Sequence, residues 1–376
     1  MRIYFLKLKM KMQIRENHLQ KKKKLKLLLN CFEELESDIT VGYDGATKEE
    51  HGQNLHENLD RLISRMKAGV YYPRPGKRVY IPKPGSRKMR PLGISCFEDK
   101  FVERAINKIL VEVYEPKFLD CSYGFRQGRS CHLAVSELLC RISGITSYIV
   151  EADIRDCFGS FDHDQLIRFL EHDIADRKFL ELIKRGLKAG HLEGNIWYSD
   201  DTGTMQGCGY SPTLANVYMH YTLDTWFRYK TRSVCDPKDR FIGKASLIRY
   251  ADDFVCYFQY WSDVRKFFSD LKVRLEKYGL RMAEEKTRVL EFGHFAAQNI
   301  RNLWMKTKEG LIRLETFDFL GFQFYCGKAK GSGRFCLKVR SVSKRVRSKI
   351  NKIGEWIRIN RHFGLKHIFR RINSDL

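Results

Sequence analysis

Features that often reveal a protein's class are missing from this 376-residue sequence. Its eleven cysteines contain no Cys-x-x-Cys pair, which argues against a zinc or disulfide framework and favours scattered reduced thiols. No run approaches the ~18 apolar residues of a membrane-spanning helix. Lysines interrupt the start, MRIYFLKLKMKMQIR, too often for the apolar region of a signal peptide. The sequence therefore predicts a soluble, intracellular protein without a membrane partner.

Acidic residues are far fewer than basic ones. Asp and Glu number 45 against 69 Lys and Arg, which gives a net charge of +24. Because such an excess neutralises phosphates and releases their counterions, it favours a polyanion-binding protein over one with an ordinary solvated basic surface. The hydrophobic content of 43% and aromatic content of 13% exclude a disordered chain and indicate one large multi-lobed core or two to three domains.

Three carboxylates carry the most specific chemical signal. Asp252 and Asp253 stand between two apolar, strand-like runs in LIRYADDFVCYF, and Asp153 ends the apolar run in SYIVEADIRDCF. A tight hairpin turn would explain the Asp pair equally well. If both strands belong to one sheet, the three acids converge on one edge, where mutual repulsion raises their pKa values unless cations bind. Hard oxygen ligands favour Mg²⁺, and two ions ~4 Å apart suit in-line phosphoryl displacement, so the pattern predicts nucleotidyl transfer.

From about Val41 to the C-terminus, the chain resembles reverse transcriptases, most closely those encoded by bacterial group II introns. Nine segments occur in family order: VGYDGATKEE, YIPKPGSRKMRPLGIS, FEDKFVERAI, YGFRQGRSCHLAV, VEADIRDCFGSFDH, GTMQGCGYSPTLANVYMHYTLD, RYADDF, GLRMAEEKT and FDFLGFQF. The resemblance implies an α+β, right-hand polymerase fold, with fingers, a palm sheet carrying the catalytic aspartates and a helical thumb. It divides the chain into an N-terminal helical extension (1–69), fingers (70–146), a palm (147–325, with a fingers-derived insert around 160–200) and an incomplete thumb (326–376).

The same resemblance implies an RNA-directed DNA polymerase in the bacterial cytoplasm. It would add dNTPs to the 3′-OH of a DNA or RNA primer on an RNA template, which we expect to be structured intron RNA. Asp153 and Asp252 would hold two Mg²⁺ ions, with Mn²⁺ as a substitute, and Asp253 would be their less essential catalytic partner. The neighbouring Asp156 and Asp162 are interpreted as turn and helix-start acids that bond local backbone.

Four further residues match nucleotide-binding positions of the family. Lys83 and Arg90, on a predicted hairpin with a basic tip, would bind the incoming triphosphate and offset charge on the leaving pyrophosphate. Phe158 would place a ring against the sugar, where it collides with a 2′-OH and so favours dNTPs. Gln206 would touch the nucleotide or the template. Ordinary phosphate-backbone contacts for the two cations and core packing for the ring are the alternative interpretations.

Five residues match positions that would contact the template or the primer. Arg126 and Arg129 are predicted to follow template phosphates, with a solvated charged loop as the alternative. Phe319, Leu320 and Gly321 are predicted to form the grip behind the primer end, although the core of a simple strand pair would explain them as well.

Two departures from the family pattern bear on function. The loop that the family writes as Pro-Gln-Gly-Gly is Met205-Gln206-Gly207-Cys208 here, and losing a Pro and a Gly changes its φ/ψ preferences. Group II intron proteins also continue beyond LKHIFRRINSDL, where this sequence ends. We therefore expect RNA, a partner chain or a second copy to cover the apolar face of the last helix and complete the thumb, and we expect no endonuclease activity.

Two other functions fit the same residues. An RNA-binding splicing factor, as a relic of an intron maturase, would keep the fold and polymerise poorly, and the short C-terminus favours it. A stand-alone reverse transcriptase in phage defence is the second alternative, although the long segment before VGYDGAT is intron-like. The intact set of Asp153, Asp252 and Asp253 favours the active polymerase, because a relic has no physical need to keep three repelling acids.

Overall fold

A computed structural model describes residues 23–36, 40–82, 89–142, 146–232, 239–294, 296 and 315–375, which form a mixed architecture of helices and sheets. The helices are α1 (23–33), α2 (Lys48–Gln53), α3 (Leu55–Ala68), α4 (Phe97–Tyr114), α5 (Cys131–Ile142), α6 (His163–Glu171), α7 (Arg177–Leu187), α8 (Ser211–Met219), α9 (Thr225–Arg232), α10 (Trp261–Lys277), α11 (Ser343–Asn360) and α12 (Leu365–Asp375). The strands are β1 (Gly76–Pro82), β2 (Met89–Ile94), β3 (Tyr148–Ala152), β4 (His191–Glu193), β5 (Ile196–Tyr198), β6 (Ala245–Tyr250), β7 (Asp253–Phe258), β8 (Arg288–Glu291), β9 (Thr316–Phe319), β10 (Phe322–Lys328) and β11 (Phe335–Ser341). The mixed class agrees with the α+β prediction.

The central sheet has the strand order β6-β7-β3-β8, and all its pairings are antiparallel. In the β3–β7 pairing, Ala152 lies opposite Phe254. One further step in this register sets Asp153 against Asp253, so the two strands that carry the carboxylates are indeed neighbours. The central sheet thus brings the three acids to the same end of two neighbouring strands, as the predicted strands require.

Both faces of the central sheet are buried, which explains why its strands are almost continuously apolar. Val150 and Cys256 point into the larger core cluster, which includes α3, α4, α8 and α10. Ile149 and Val255 point to the opposite face and pack in a second cluster with α5 and with Phe317. This alternation is the two-residue period of a strand, and it places the strands' ends, rather than their faces, next to solvent.

Strands β2-β1-β4-β5 form a second sheet, called here the hairpin sheet. Strands β1 and β2 are antiparallel, and Ile81 lies opposite Arg90. Strand β4 runs parallel to β1, and β5 pairs with β4. The predicted hairpin strands are therefore present, whereas its tip at 83–88, which includes Lys83, lies outside the described residues.

Strands β11-β10-β9 form the C-terminal sheet. The β9–β10 turn has only two residues, Leu320 and Gly321, with φ of 52° and 87°, and Phe319 pairs with Phe322 across it. Two positive φ values in a two-residue hairpin suit Gly and strain Leu. The predicted strand pair in TFDFLGFQFY is thus confirmed, with a turn that costs the chain some backbone energy.

The start of α6 follows the predicted local chemistry. Asp162 caps α6 by accepting a hydrogen bond of 2.8 Å from the Gln165 N–H, as expected of a helix-start acid. Helix α8 begins at Ser211 with Pro212 in its first turn, and its N-cap residue is Tyr210, whose side chain makes no capping hydrogen bond. The basic helix α11 leaves Ile350 and Ile359 exposed. No helix within the described ranges is long and apolar enough to cross a membrane.

Phe317 tests how much the second cluster contributes to stability. Its ring is fully buried and stacks on Phe324 at a centroid distance of 4.7 Å. We expect Phe317→Ala to lower the free energy of unfolding by about 3–5 kcal/mol through lost burial and a cavity, and Phe317→Leu to cost less. Urea denaturation measures both. A loss for the alanine variant within about 0.5 kcal/mol, as for a surface substitution, would show that this cluster is not part of the cooperative core.

Candidate active site

The β6–β7 turn delivers the acidic pair. Tyr250 pairs with Asp253, so Ala251 and Asp252 form the two-residue turn between them. Ala251 has a φ of 59°, in the left-handed region that alanine rarely adopts. Such an outlier persists only when surrounding contacts enforce it, and it is typical of functional sites.

The three carboxylates repel one another, as the sequence predicted. Burial, followed by the charge of Asp153, raises the pKa of Asp252. Desolvation, then the charges of Asp252 and Asp153, raises the pKa of Asp253 to about 6, although its side chain is exposed. Each shift reflects negative charge held where water cannot fully solvate it.

Positive side chains from three different parts of the chain offset this charge. The Lys286 ammonium donates to the Asp153 carboxylate, and this bond raises the pKa of Lys286. Arg90, from β2, counteracts the pKa rise of Asp252, and Arg345, from α11, does so for Asp253. Arg90 therefore lies near enough to the carboxylates for its charge to act on Asp252.

The donor set suits hard divalent cations. Carboxylate oxygens are preferred ligands of Mg²⁺. Burial and the neighbouring carboxylates raise the pKa values of Asp252 and Asp253, so a bound cation would favour their ionised forms. Within the described ranges, no three His, Cys, Asp or Glu side chains are gathered as a ready metal-binding group, and Asp153 is paired with Lys286 instead. The residues fit a metal site that the ions themselves would draw together.

Phe158 stands just beyond Asp153, in the 3-10 turn Cys157–Gly159. Its ring is half-buried and contacts two other aromatic rings, Phe161 at a centroid distance of 6.0 Å and Phe125 at 6.4 Å. Phe125 is 52% exposed and has a φ of 57°. Phe125 thus adds an exposed ring, on a strained backbone, beside Phe158. No periodic or charge pattern in the sequence marks this residue, so the sequence does not predict it.

The loop with Gln206 docks on the hairpin sheet. The Gly93 N–H donates to the Gln206 carbonyl over 2.7 Å. The Met205 sulfur fills a notch between Gly76 and Gly93, where a Cβ on either glycine would overlap it. Gly207 has a φ of 112°, and a Cβ there would collide with the Gly93 carbonyl. The conformation of the loop thus depends on Gly207, which this chain retains. Met205 stands where the family has proline, and its side chain fills the notch between two glycines of the hairpin sheet.

Glu103, from α4, also supports the Gln206 loop, and the sequence does not predict this role. Its carboxylate accepts hydrogen bonds from the Gly209 N–H at 2.8 Å and the Ser95 hydroxyl at 2.6 Å. Desolvation raises the pKa of Glu103 to about 7. Nothing in FEDKFVERAI distinguishes this glutamate from its neighbours, since only the packing of α4 under the loop desolvates it.

The two arginines predicted to follow template phosphates differ in their surroundings. Arg126 is only 9% exposed, and its guanidinium donates to Glu115 and to the carbonyls of Leu119 and Ser122. This geometry favours a structural role for Arg126, because its donors are turned into the protein. Arg129 is half-buried and pairs with Asp120 at 2.7 Å.

The β9–β10 turn lies on the same side of the molecule as the carboxylates. The Arg345 guanidinium packs against Gly321, 2.6 Å from where a Cβ would stand, and the same charge acts on Asp253. Phe319 is buried in the second cluster, and Leu320 is half-buried. Of this predicted grip, Leu320 and Gly321 therefore present the accessible surface, and Phe319 anchors it.

Residues 81–324 match the family model described as "Reverse transcriptase (RNA-dependent DNA polymerase)". Over 164 residues the chain is 44% identical to the group II intron-encoded protein LtrA of Lactococcus lactis subsp. cremoris, a match that covers 44% of this chain and 27% of LtrA. It is 41% identical over 162 residues to an uncharacterized 91 kDa protein in the cob intron of Schizosaccharomyces pombe, covering 43% and 20%. Protein YkfC of Escherichia coli is 31% identical over 240 residues, covering 57% and 62%. The chain thus spans less than two thirds of the length of each of these relatives.

The Glu103 carboxyl should make the stability of the protein depend on pH. Its pKa rises from an ordinary 4.5 to about 7 on folding, so the stability it contributes is complete below its unfolded pKa and is lost as the pH rises through about 7. Glutamine does not titrate, and the Tm of Glu103→Gln relative to the parent should therefore increase between about pH 5 and about pH 8. Glu112→Gln, at an exposed position of the same helix, is the control. Thermal melting would contradict this if the Glu103→Gln difference were the same at every pH.

Proposed function

Because the chain belongs to the reverse transcriptase family, we propose that it is an RNA-directed DNA polymerase that extends a primer by two-metal nucleotidyl transfer. The observation that carries this proposal is the antiparallel pairing of β3 with β7, which puts the strand ends that carry Asp153, Asp252 and Asp253 side by side. Carboxylates that repel one another and are poorly solvated destabilise a fold unless cations bind to them. Neither the basic charge nor the exposed aromatic rings alone would distinguish a polymerase from an RNA-binding protein.

The proposed right-hand architecture assigns the sheets to domains. The hairpin sheet would form the main part of the fingers, the central sheet the palm, and the chain beyond 325 the thumb. Residues 1–69 would be the helical extension that precedes them. In this arrangement the Gln206 loop, docked on Gly93 of β2, would join the fingers to the palm.

In the proposed mechanism, Asp153 and Asp252 would hold two Mg²⁺ ions, or Mn²⁺ as a substitute, and Asp253 would support them. When bound, these ions supply Lewis-acid activation of the primer 3′-OH and neutralise charge on the pyrophosphate. Arg90, together with Lys83, would bind the triphosphate and orient it for in-line attack. These cations act where charge develops, so they would speed the reaction more than they tighten substrate binding.

Selection of dNTPs is proposed to depend on Phe158, with Gln206 contacting the nucleotide. The Phe158 ring contacts the rings of Phe161 and Phe125. A ring beside the sugar would reject the extra hydroxyl by steric collision.

RNA is the proposed template, and the intron-encoded relatives suggest structured intron RNA. Arg129 would contact template phosphates, whereas Arg126 would brace its loop. Leu320 and Gly321, anchored by Phe319, would support the primer end. Exposed apolar residues of the last two helices, including Ile350 and Phe369, would be covered by RNA, by a partner chain or by a second copy.

The first test is primer extension on an RNA template with dNTPs and Mg²⁺, comparing the parent with Asp252→Asn. We expect extension by the parent only, with RNA binding equal in both. Because the variant removes one repelling carboxylate, its Tm in EDTA should be higher than the parent's, whereas its rise in Tm with Mg²⁺ should be lost.

Asp164→Asn makes the same chemical change at an exposed acid and should behave like the parent. Extension by the Asp252→Asn protein at the parental rate would refute the metal assignment. RNA binding without extension by the parent would instead favour a splicing role.

Phe158→Ala tests nucleotide selection. Removing the ring should let the enzyme incorporate rNTPs while dNTP incorporation continues, because the steric barrier to the 2′-OH is gone. The ratio of kcat/KM values for a matched dNTP and rNTP is the measurement, and Phe169→Ala, which removes a half-buried ring elsewhere, is the control. If the ratio stays at the parental value, the Phe158 ring serves only as core packing.

A further inference from the structure

Arg249 lies three positions before Asp252 in the chain and is completely buried, with 0% exposure. Its five N–H donors meet five acceptors. Nε and Nη2 donate to the two oxygens of Asp224 at 2.8 and 2.6 Å, and Nη2 also donates to Ser122 Oγ at 2.8 Å. Nη1 donates to Asn216 Oδ1 at 3.0 Å and to the carbonyl oxygen of Ala251 at 2.8 Å. The guanidinium is therefore fully satisfied, and one of its bonds holds the carboxylate turn.

Stability alone does not account for this ion pair. Removing two charges from water costs about as much as their attraction returns, so a well-packed apolar pair is often as stable. What the apolar pair would lack is direction. Bidentate arginine–carboxylate bonds fix position and angle, and here they fix the carbonyl of Ala251, whose φ of 59° is unfavourable without such a restraint.

The acceptors come from elements that lead directly to other parts of the site. Asp224 ends the π-helical turn His220–Asp224, an irregularity that is frequent at functional sites and that carries its carboxylate to the guanidinium. Asn216 belongs to α8, the helix that follows the Gln206 loop. The turn, the loop and their supporting helix are thus joined through one cation.

The segment before Phe125 braces the same turn from the other side. Arg249 and this segment exchange backbone bonds, Tyr123 N–H to the Arg249 carbonyl at 2.8 Å and Arg249 N–H to the Cys121 carbonyl at 2.7 Å. The Asn216 amide donates to the Gly124 carbonyl at 2.7 Å. A Cβ on Gly124 would stand only 2.5 Å from the Ala251 nitrogen. The backbone of the turn is therefore closely packed against this segment at Ala251.

We propose that Arg249 and Asp224 are positioning residues for nucleotidyl transfer, which set the carboxylates of Asp252 and Asp253 against Asp153 by holding the Ala251 carbonyl. The proposal rests on the proposed polymerase function. Neither residue touches substrate or metal. Their loss should loosen the geometry of the metal ligands while leaving the RNA-binding surfaces unchanged.

The test is the Mg²⁺ dependence of primer extension by Arg249→Lys and Asp224→Asn. Lysine keeps the charge but cannot reach five acceptors from one ammonium, and asparagine keeps the shape but not the charge. We expect the Mg²⁺ concentration for half-maximal rate to rise and kcat to fall by about 10- to 100-fold, as for groups that orient metal ligands. KM for dNTP and the Kd for RNA should stay at parental values.

Lys230→Met is the matched control, since Lys230 is also buried and bridges two acids, Asp239 and Asp270, away from the site. It should lower the Tm without changing the Mg²⁺ response. If Arg249→Lys and Asp224→Asn likewise lose Tm but keep the parental Mg²⁺ response, the network is structural and the proposal is wrong.

Ser122→Ala keeps the test decisive if the ion-pair variants do not fold. It removes one of the five acceptors and leaves the Asp224 pair in place, so the same Mg²⁺ shift should appear in smaller size. Binding of Mn²⁺, followed by electron paramagnetic resonance, separates this proposal from the polymerase assignment. Weaker Mn²⁺ binding by the variants supports positioning even if the parent does not extend primers, and equal binding overturns it.

Discussion

The antiparallel pairing of β3 with β7 is the constraint on which the rest of the site depends. Both strands are buried on both faces, so their register is strongly specified, and a slip of one residue would turn each apolar side chain toward the wrong cluster. The same register sets Asp153 against Asp253. Hydrophobic packing therefore brings together the strand ends that carry carboxylates, and the repulsion between these acids has to be offset by positive charge from elsewhere in the chain.

Residues around the three carboxylates offset that repulsion. Lys286, Arg90 and Arg345 bring positive charge from separate segments of the chain. Each of these three residues is exposed, unlike Arg249, whose guanidinium is completely enclosed. The cations near the site thus divide into exposed ones that compensate charge and a buried one that bonds to the carboxylate turn.

Close packing against glycines is the second feature that shapes the site. Met205 fits between Gly76 and Gly93, and Gly124 packs on Ala251, so the Gln206 loop and the acidic turn are each pressed against a neighbouring segment. This explains how Met205 is accommodated where the family has proline. The position that needs a left-handed conformation is Gly207, and it is unchanged.

By itself, the sequence determined the features that depend on local chemistry and on alternation. It predicted the acidic strand ends, the cap at Asp162 and the reverse transcriptase family, because residue spacing and turn chemistry act over a few positions. Only the tertiary structure decided which polar groups are desolvated. The roles of Glu103, Arg249 and Asp224, and the inward turn of Arg126, depend on elements that are distant in sequence. Burial is a property of the packed chain, so no local pattern of charges could distinguish these residues from solvated ones.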